Sequence, residues 1–67
     1  MTIATLKRNI RRAQKYWDQG NEISWQDEKK RDDLDDKICI ARCELTPEKD
    51  EELSLWAADN KLLSYAN

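Results

Sequence analysis

The hydrophobic residues of this chain recur at helical spacing, beginning close to the first residue. The first apolar stripe consists of Ile3, Leu6, Ile10, Ala13 and Trp17. Successive members are three or four positions apart, so they lie on one side of a helix. Thr2 can accept a hydrogen bond from a free backbone N–H group, and Gly20 is the residue type favoured where a helix closes in a left-handed turn. The pattern predicts a first helix over residues 3–19.

Two further helices are predicted from a second apolar stripe and from capping residues. The second stripe consists of Leu34, Ile38, Ala41 and Leu45. Ser24 can cap the start of this helix, which we place over residues 25–45. Thr46 and Pro47 form a cap followed by a first-turn proline, and the acidic residues after them suit the positive end of a helix. They predict a third helix over residues 47–65.

The third predicted helix is apolar on more than one side. Its two seams consist of Leu53, Trp56 and Leu63, and of Leu55, Leu62 and Ala66. A surface this broad can touch two neighbours, one of which could be a second copy of the chain. A chain of 67 residues also buries too little surface for a large core. We therefore expect a homodimer.

The three helices predict an all-α fold and a single helical domain over residues 1–67. One glycine, one proline and few β-branched residues argue against a sheet. The short connection after the first helix favours an antiparallel hairpin. Aligning the two stripes places Ile10 opposite Leu34, and it places Trp17 near Trp25. The predicted architecture is this hairpin plus the third helix, assembled as a dimeric bundle.

Charge is distributed unevenly along the chain. Residues 1–20 contain five cations against Asp18, a charge of +4, and the remaining residues carry −6 because the whole chain is −2. The cations are Lys7, Arg8, Arg11, Arg12 and Lys15. The hairpin register places them alongside the acidic residues 32–36, so intramolecular or intersubunit ion pairing is the leading interpretation. A solvated face and contact with a nucleic-acid backbone, aided by stacking of Tyr16 and Trp17, are the alternatives.

The aromatic residues are candidates for two different roles. Because 39% of the residues are charged and Phe is absent, the core is thin. It is expected to depend on Trp17, Trp25, Trp56 and Tyr65. An aromatic side chain that is exposed instead would be the natural anchor of a protein-binding surface. We therefore name Trp25, Trp56 and Tyr65 as candidate partner-binding residues.

The sequence offers little for catalysis or metal binding. The chain has no His, no glycine-rich phosphate loop and no Ser in the setting of a hydrolase nucleophile. Cys39 and Cys43 are interpreted as free, buried side chains, since a zinc site would need more ligands than one chain supplies. The acidic run at residues 32–36 lacks the pattern of a calcium loop. We expect no enzyme activity, no cofactor and no metal.

The opening MTIATLKRNIRRAQKYWDQGNEISWQDEKK resembles the small accessory proteins encoded in the early region of lambda-like temperate phages. The resemblance covers the first half of the chain and transfers no functional residue. It implies a cytoplasmic helical protein that alters host growth, replication or the choice between lysis and lysogeny by binding a host protein. A cytoplasmic location without membrane contact also agrees with the absence of a long apolar stretch or a secretion signal.

Three functions are therefore considered. The leading hypothesis is a small non-enzymatic regulatory protein that occupies a surface of another protein. The first alternative is a nucleic-acid-associated regulator that uses the basic edge of the first helix, and the second is a structural assembly element.

Overall fold

The computed structural model describes residues 1–66, which form three α-helices and no strand. Helix α1 spans Ile3–Trp17, α2 spans Trp25–Cys43 and α3 spans Pro47–Asp59. A short 3-10 helix, Gly20–Glu22, lies between α1 and α2. The all-α class predicted from apolar spacing is confirmed.

Each α-helix begins at a residue predicted to cap it. The hydroxyl oxygen of Thr2 accepts a hydrogen bond from the backbone N–H three residues later at 3.2 Å, and Ser24 and Thr46 do the same at 3.3 Å. These bonds satisfy N–H groups that the first helical turn leaves without a partner. Pro47 occupies the first turn of α3, where its lack of an N–H group carries no penalty.

Helices α1 and α2 pack against each other and run in opposite directions, so the predicted hairpin is confirmed. Near the end of α1, Trp17 lies against Arg31 in the first half of α2. Earlier in α1, Asn9 shares a cleft with Lys37 in the second half of α2. The hairpin register predicts Trp17 near Trp25. Its indole instead stacks on Arg31, and its N–H group donates a hydrogen bond to Asp35, further along α2.

The core lies where the three helices meet. Its buried apolar members are Leu6, Ile10, Ala13, Leu34, Ile38, Ala41, Leu53, Ala57 and Tyr65. The middle of the first stripe and the positions Leu34, Ile38 and Ala41 of the second are therefore confirmed, whereas Ile3 at the end of the first stripe is exposed. The two seams predicted for the third helix are largely wrong, because Leu53 is their one fully buried member and Leu55 and Leu63 are exposed. Alanines at 13 and 57 are fully buried, and side chains this small let the helices approach closely.

The prediction that tryptophans form the core is wrong for two of them. Trp17 and Trp25 are exposed, and Trp56 is partly buried at the edge of the core. Closely packed helices leave little room for an indole, whose N–H group also needs a hydrogen-bond acceptor. Tyr65 is buried as predicted.

The last helix is shorter than predicted, because α3 ends at Asp59 and not near residue 65. The N–H of Leu62 donates to the carbonyl of Ala57 at 2.8 Å, and the N–H of Lys61 donates to that of Ala58 at 3.1 Å. These two bonds define a closing turn with a left-handed residue, here Lys61 with φ of 58°. The turn sends residues 62–66 back across the helices.

The other two helices also end about two residues early. Helix α1 closes at Trp17, and Gly20 has the positive φ of 60° expected of a glycine that helps to reverse the chain. Helix α2 closes at Cys43, where Glu44 and Leu45 form the turn that leads to α3. Short fraying or tightening of this kind leaves the apolar stripes unchanged.

Candidate functional site

Arg42 ties the end of α2 to α3 and to the C-terminal segment, residues 60–66. Its Nε donates to Oδ1 of Asp50 at 2.7 Å, and one Nη donates to Oγ of Ser54 at 2.7 Å. Its other Nη donates to the backbone carbonyl of Tyr65 at 3.1 Å. Three partners in two parts of the chain make this guanidinium a structural element, and it has little capacity left for a ligand.

A second polar cluster lies about two turns earlier on α2, at Asp35, and contains the hydroxyl of Tyr65. This hydroxyl donates a hydrogen bond to Asp35, while Nε1 of Trp17 lies 3.3 Å from the same carboxylate and 3.2 Å from the Tyr65 oxygen. Burial, with the bond to Asp35, holds the pKa of the Tyr65 hydroxyl well above its ordinary value of about 10. The phenol therefore stays protonated at neutral pH and acts as a donor, so it is unsuited to be a base or nucleophile.

Gln14 supplies the third attachment of the C-terminal segment. Its side chain is buried, its Nε2 donates to Oδ1 of Asp18 at 2.8 Å, and its Oε1 accepts from the backbone N–H of Ser64 at 2.9 Å. Together with the two clusters above, this bond fixes residues 60–66 to both α1 and α2.

Within residues 1–66 the cations of α1 form no ion pair with the acidic run of α2, so the intramolecular form of the pairing prediction is wrong, and pairing between subunits stays a prediction. Over residues 1–66, the ion pairs join Arg31 to Glu28 and Asp32 and join Arg42 to Asp50, and none involves α1. Two of the four aspartates in that run have other partners, since Asp32 pairs with Arg31 of its own helix and Asp35 accepts from Tyr65 and Trp17.

Two of the α1 cations instead lie over an aromatic ring. Lys7 Nζ is 5.0 Å and the Arg11 guanidinium carbon is 5.3 Å from the centre of the Trp56 ring. The other three, Arg8, Arg12 and Lys15, are exposed. The five basic residues of α1 thus have different surroundings, and within the described residues none of them forms an ion pair.

A cationic cleft lies between α1 and α2. It has a volume of about 230 Å³ and is lined by Asn9, Arg12, Tyr16, Lys30, Asp33, Leu34 and Lys37. Three cations from two helices therefore face one carboxylate. Sequence reasoning missed Lys30 and Lys37 because it treated α2 as an acidic helix. The signal was present in their spacing of seven, which keeps both on one side of the helix, next to the core residue Leu34.

The three candidate partner-binding aromatics do not form one surface. Trp25 is 65% exposed at the start of α2, with Lys29 Nζ 5.0 Å from the centre of its ring. Trp56 is partly covered by α1 cations, and Tyr65 is only 8% exposed. The other exposed large apolar side chains are Met1, Ile3, Trp17, Ile40, Leu55 and Leu63.

A cavity of about 680 Å³ lies between α2 and the C-terminal segment. Cys39 and Cys43 line it and are exposed free thiols, so their predicted burial is wrong. The core-facing positions of that helix are taken by Ile38 and Ala41, and the two cysteines lie further round. No group of three metal-ligating side chains occurs within residues 1–66.

Comparison with known proteins found no match to any family model, curated protein or solved structure. Within the described residues, no helix has the length and apolar character needed to cross a bilayer. Any function must therefore be argued from the chemistry of the surfaces described above.

Proposed function

We propose that this chain is a small non-enzymatic protein that acts by binding a surface of another protein, with Trp25 as the anchor. The observation that carries the proposal is the 65% exposure of Trp25 on a well-formed helix. Large rigid aromatics of this kind supply much of the binding energy at protein interfaces. The resemblance to phage accessory proteins points to a host protein as the partner, and to a cytoplasmic site of action.

The outward side of α2 offers a second exposed apolar side chain in addition to Trp25. Ile40 is 63% exposed, and the fifteen-residue separation places it on the same outward half of α2, about 22 Å from Trp25 along the helix. Charged residues such as Lys29 and Asp36 lie between them. A partner lying along α2 would therefore meet two apolar contacts with polar groups between them.

The experiment compares Trp25→Ala with Leu55→Ala, which removes an equally exposed apolar side chain from α3. A partner is first captured from a host lysate and identified, and its affinity for each variant is then measured by titration. We expect Trp25→Ala to weaken binding at least tenfold, whereas Leu55→Ala should change it little. Equal affinities for the wild type and both variants would refute this binding surface.

Nucleic-acid contact is the second candidate, and the lack of ion pairs on α1 favours it. Lys7, Arg8, Arg11, Arg12 and Lys15 are the residues that would meet phosphates. The test is binding to generic duplex DNA at low and moderate salt. Tight binding that falls steeply with salt would support this candidate, and no binding at low salt would eliminate it.

A homodimer, or a purely structural role in an assembly, requires a different measurement. The exposed Leu55 and Leu63 offer apolar surface that a second copy could cover. Sedimentation at several protein concentrations reports the oligomeric state directly. A strict monomer at high concentration would remove the dimer from the proposal.

A further inference from the structure

We propose that the cleft between α1 and α2 binds a phosphate group, held by Arg12, Lys30 and Lys37. This site is separate from the Trp25 surface and does not depend on a protein partner. It deepens the nucleic-acid candidate only if the phosphate belongs to a nucleic-acid backbone. The same chemistry would recognise a small phosphorylated molecule, so the experiment below distinguishes these two sources.

The cleft contains three positive charges that form no ion pair within the described residues. Arg12, Lys30 and Lys37 line one cleft of about 230 Å³, and none of them forms an ion pair with a residue in the described range. Asp33 is the single carboxylate in the lining. Three cations held near each other repel, and an anion placed between them removes that repulsion as well as adding direct attraction.

The donor set of the cleft suits a tetrahedral oxyanion. Arg12 offers parallel N–H groups that bind two oxygens at once, and the two lysines offer compact positive charges from the opposite helix. The hydroxyl of Tyr16 and the amide of Asn9 add neutral donors to the same lining. A phosphate presents oxygens in several directions, so it can reach donors from both helices, whereas a planar carboxylate engages fewer of them.

The size of the cleft limits what it can hold. Small-molecule pockets usually have volumes of about 300–1,000 Å³, and this cleft is smaller. It therefore suits a charged phosphate group, and the rest of a larger ligand would lie outside it. Leu34 forms an apolar part of the lining, which lowers the local dielectric constant and strengthens attraction to the anion. On the outward side of α1, Arg8 and Lys15 continue the positive surface for a longer polyanion.

The experiment uses Lys30→Gln/Lys37→Gln and a matched control, Lys29→Gln/Lys49→Gln, which changes the net charge equally outside the cleft. Inorganic pyrophosphate and a short DNA duplex are the two phosphate probes, a polyglutamate peptide is the carboxylate control, and each is titrated at low and moderate salt. Circular dichroism checks that both variants keep the helical content of the wild type.

If the cleft binds phosphate, the first variant should lose about tenfold in pyrophosphate affinity and the control less than about twofold. Pyrophosphate binding indicates a small phosphorylated ligand. Binding to duplex DNA alone indicates a backbone phosphate, and the slope of log affinity against log salt should then fall by roughly two in the first variant only. Equal losses in both variants, no binding of either probe at low salt, or stronger binding of a polyglutamate peptide would each overturn the proposal.

Discussion

Arg42 and Arg12 both project from long helices, but their surroundings differ. Arg42 donates hydrogen bonds to three groups of the protein, whereas Arg12 faces solvent. Arg42 donates to Asp50, Ser54 and the Tyr65 carbonyl, and its side chain is only 15% exposed. Arg12 is exposed beside two lysines. The abundance of carboxylates in the chain therefore does not decide which cations are neutralised.

Contacts between residues far apart in the sequence decide which cations are neutralised. The C-terminal segment folds back over α2 and supplies Arg42 with a backbone carbonyl, while Tyr65 occupies the Asp35 carboxylate. Once these contacts form, Asp32 and Asp35 are engaged elsewhere, and Asp33, which shares the cleft with Arg12, forms no ion pair with it. The region around Arg42 is stable because its polar groups form hydrogen bonds with one another. The region around Arg12 keeps positive charge available for an external ligand.

The largest expected difference between the two regions comes from removing each guanidinium in turn. Arg42→Met should lower the free energy of unfolding by about 2–3 kcal/mol, because Asp50, Ser54 and a carbonyl lose a charged donor. Arg12→Met should change it by less than about 0.5 kcal/mol. Urea unfolding followed by circular dichroism measures both. Similar losses in the two variants would contradict the contrast.

Tyr65→Phe tests whether the paired region behaves as one network. Loss of the hydroxyl should cost about 1 kcal/mol near neutral pH, since Asp35 and Trp17 lose a shared partner. The pKa of Tyr65 is raised in the folded state, so above about pH 10 the unfolded tyrosine releases its proton first. The contribution of this residue to stability is complete below pH 10 and is lost as the pH rises further.

Thermal unfolding at several pH values between 8 and 11 checks this pH dependence. The wild type should lose stability progressively above about pH 10. The Phe variant should lose less over the same range, whereas a Tyr16→Phe control, which keeps Tyr65, should behave like the wild type. Parallel curves for all three proteins would show that Tyr65 does not keep its proton as proposed.

Lys61 sets the direction of the segment that supplies Arg42 with its carbonyl. Its φ of 58° is costly for a side chain with a Cβ, so Lys61→Gly should stabilise the protein by about 0.5–1 kcal/mol. Asn60→Gly is the control, because Asn60 has a φ of −97° and its side chain donates to the Trp56 carbonyl at 2.8 Å. That control should destabilise, and denaturant midpoints measure both effects.

Much of this fold could be predicted from local sequence signals. Capping residues and apolar spacing located the starts of all three helices and the antiparallel hairpin. The end of α3 could not be located in this way, because its left-handed closing residue is Lys61 and not the expected glycine. The exposure of Trp17 also depended on how the helices pack, whereas that of Trp25 follows from helical spacing, since Trp25 is nine residues from Leu34 and lies opposite the buried stripe of α2.

Only part of the cationic cleft between α1 and α2 could be predicted from the sequence. The α1 cations stand out as a cluster, but their lack of partners depends on Asp35 being taken by Tyr65, thirty residues away. Lys30 and Lys37 are hidden among acidic neighbours, and only their spacing relative to Leu34 turns them toward α1. Charge along the sequence is thus a poor guide to charge at a surface, because a helix distributes consecutive residues over all of its faces.

The smallest coupling energy is expected for the ion pairs between α1 and α2 that the sequence predicted and the structure does not contain. In a double-mutant cycle, Arg8→Glu and Asp36→Lys should have a coupling energy within about 0.3 kcal/mol of zero, because both side chains are exposed and form no ion pair. The same cycle on Arg42 and Asp50, which are 2.7 Å apart, should give about 1 kcal/mol or more. Unfolding free energies in urea supply both values at one salt concentration.

A coupling above about 0.5 kcal/mol between Arg8 and Asp36 would mean that α1 is neutralised from within the chain. The basic face would then lose much of its attraction for phosphate, and the contrast between Arg42 and Arg12 would no longer separate a structural cation from an available one.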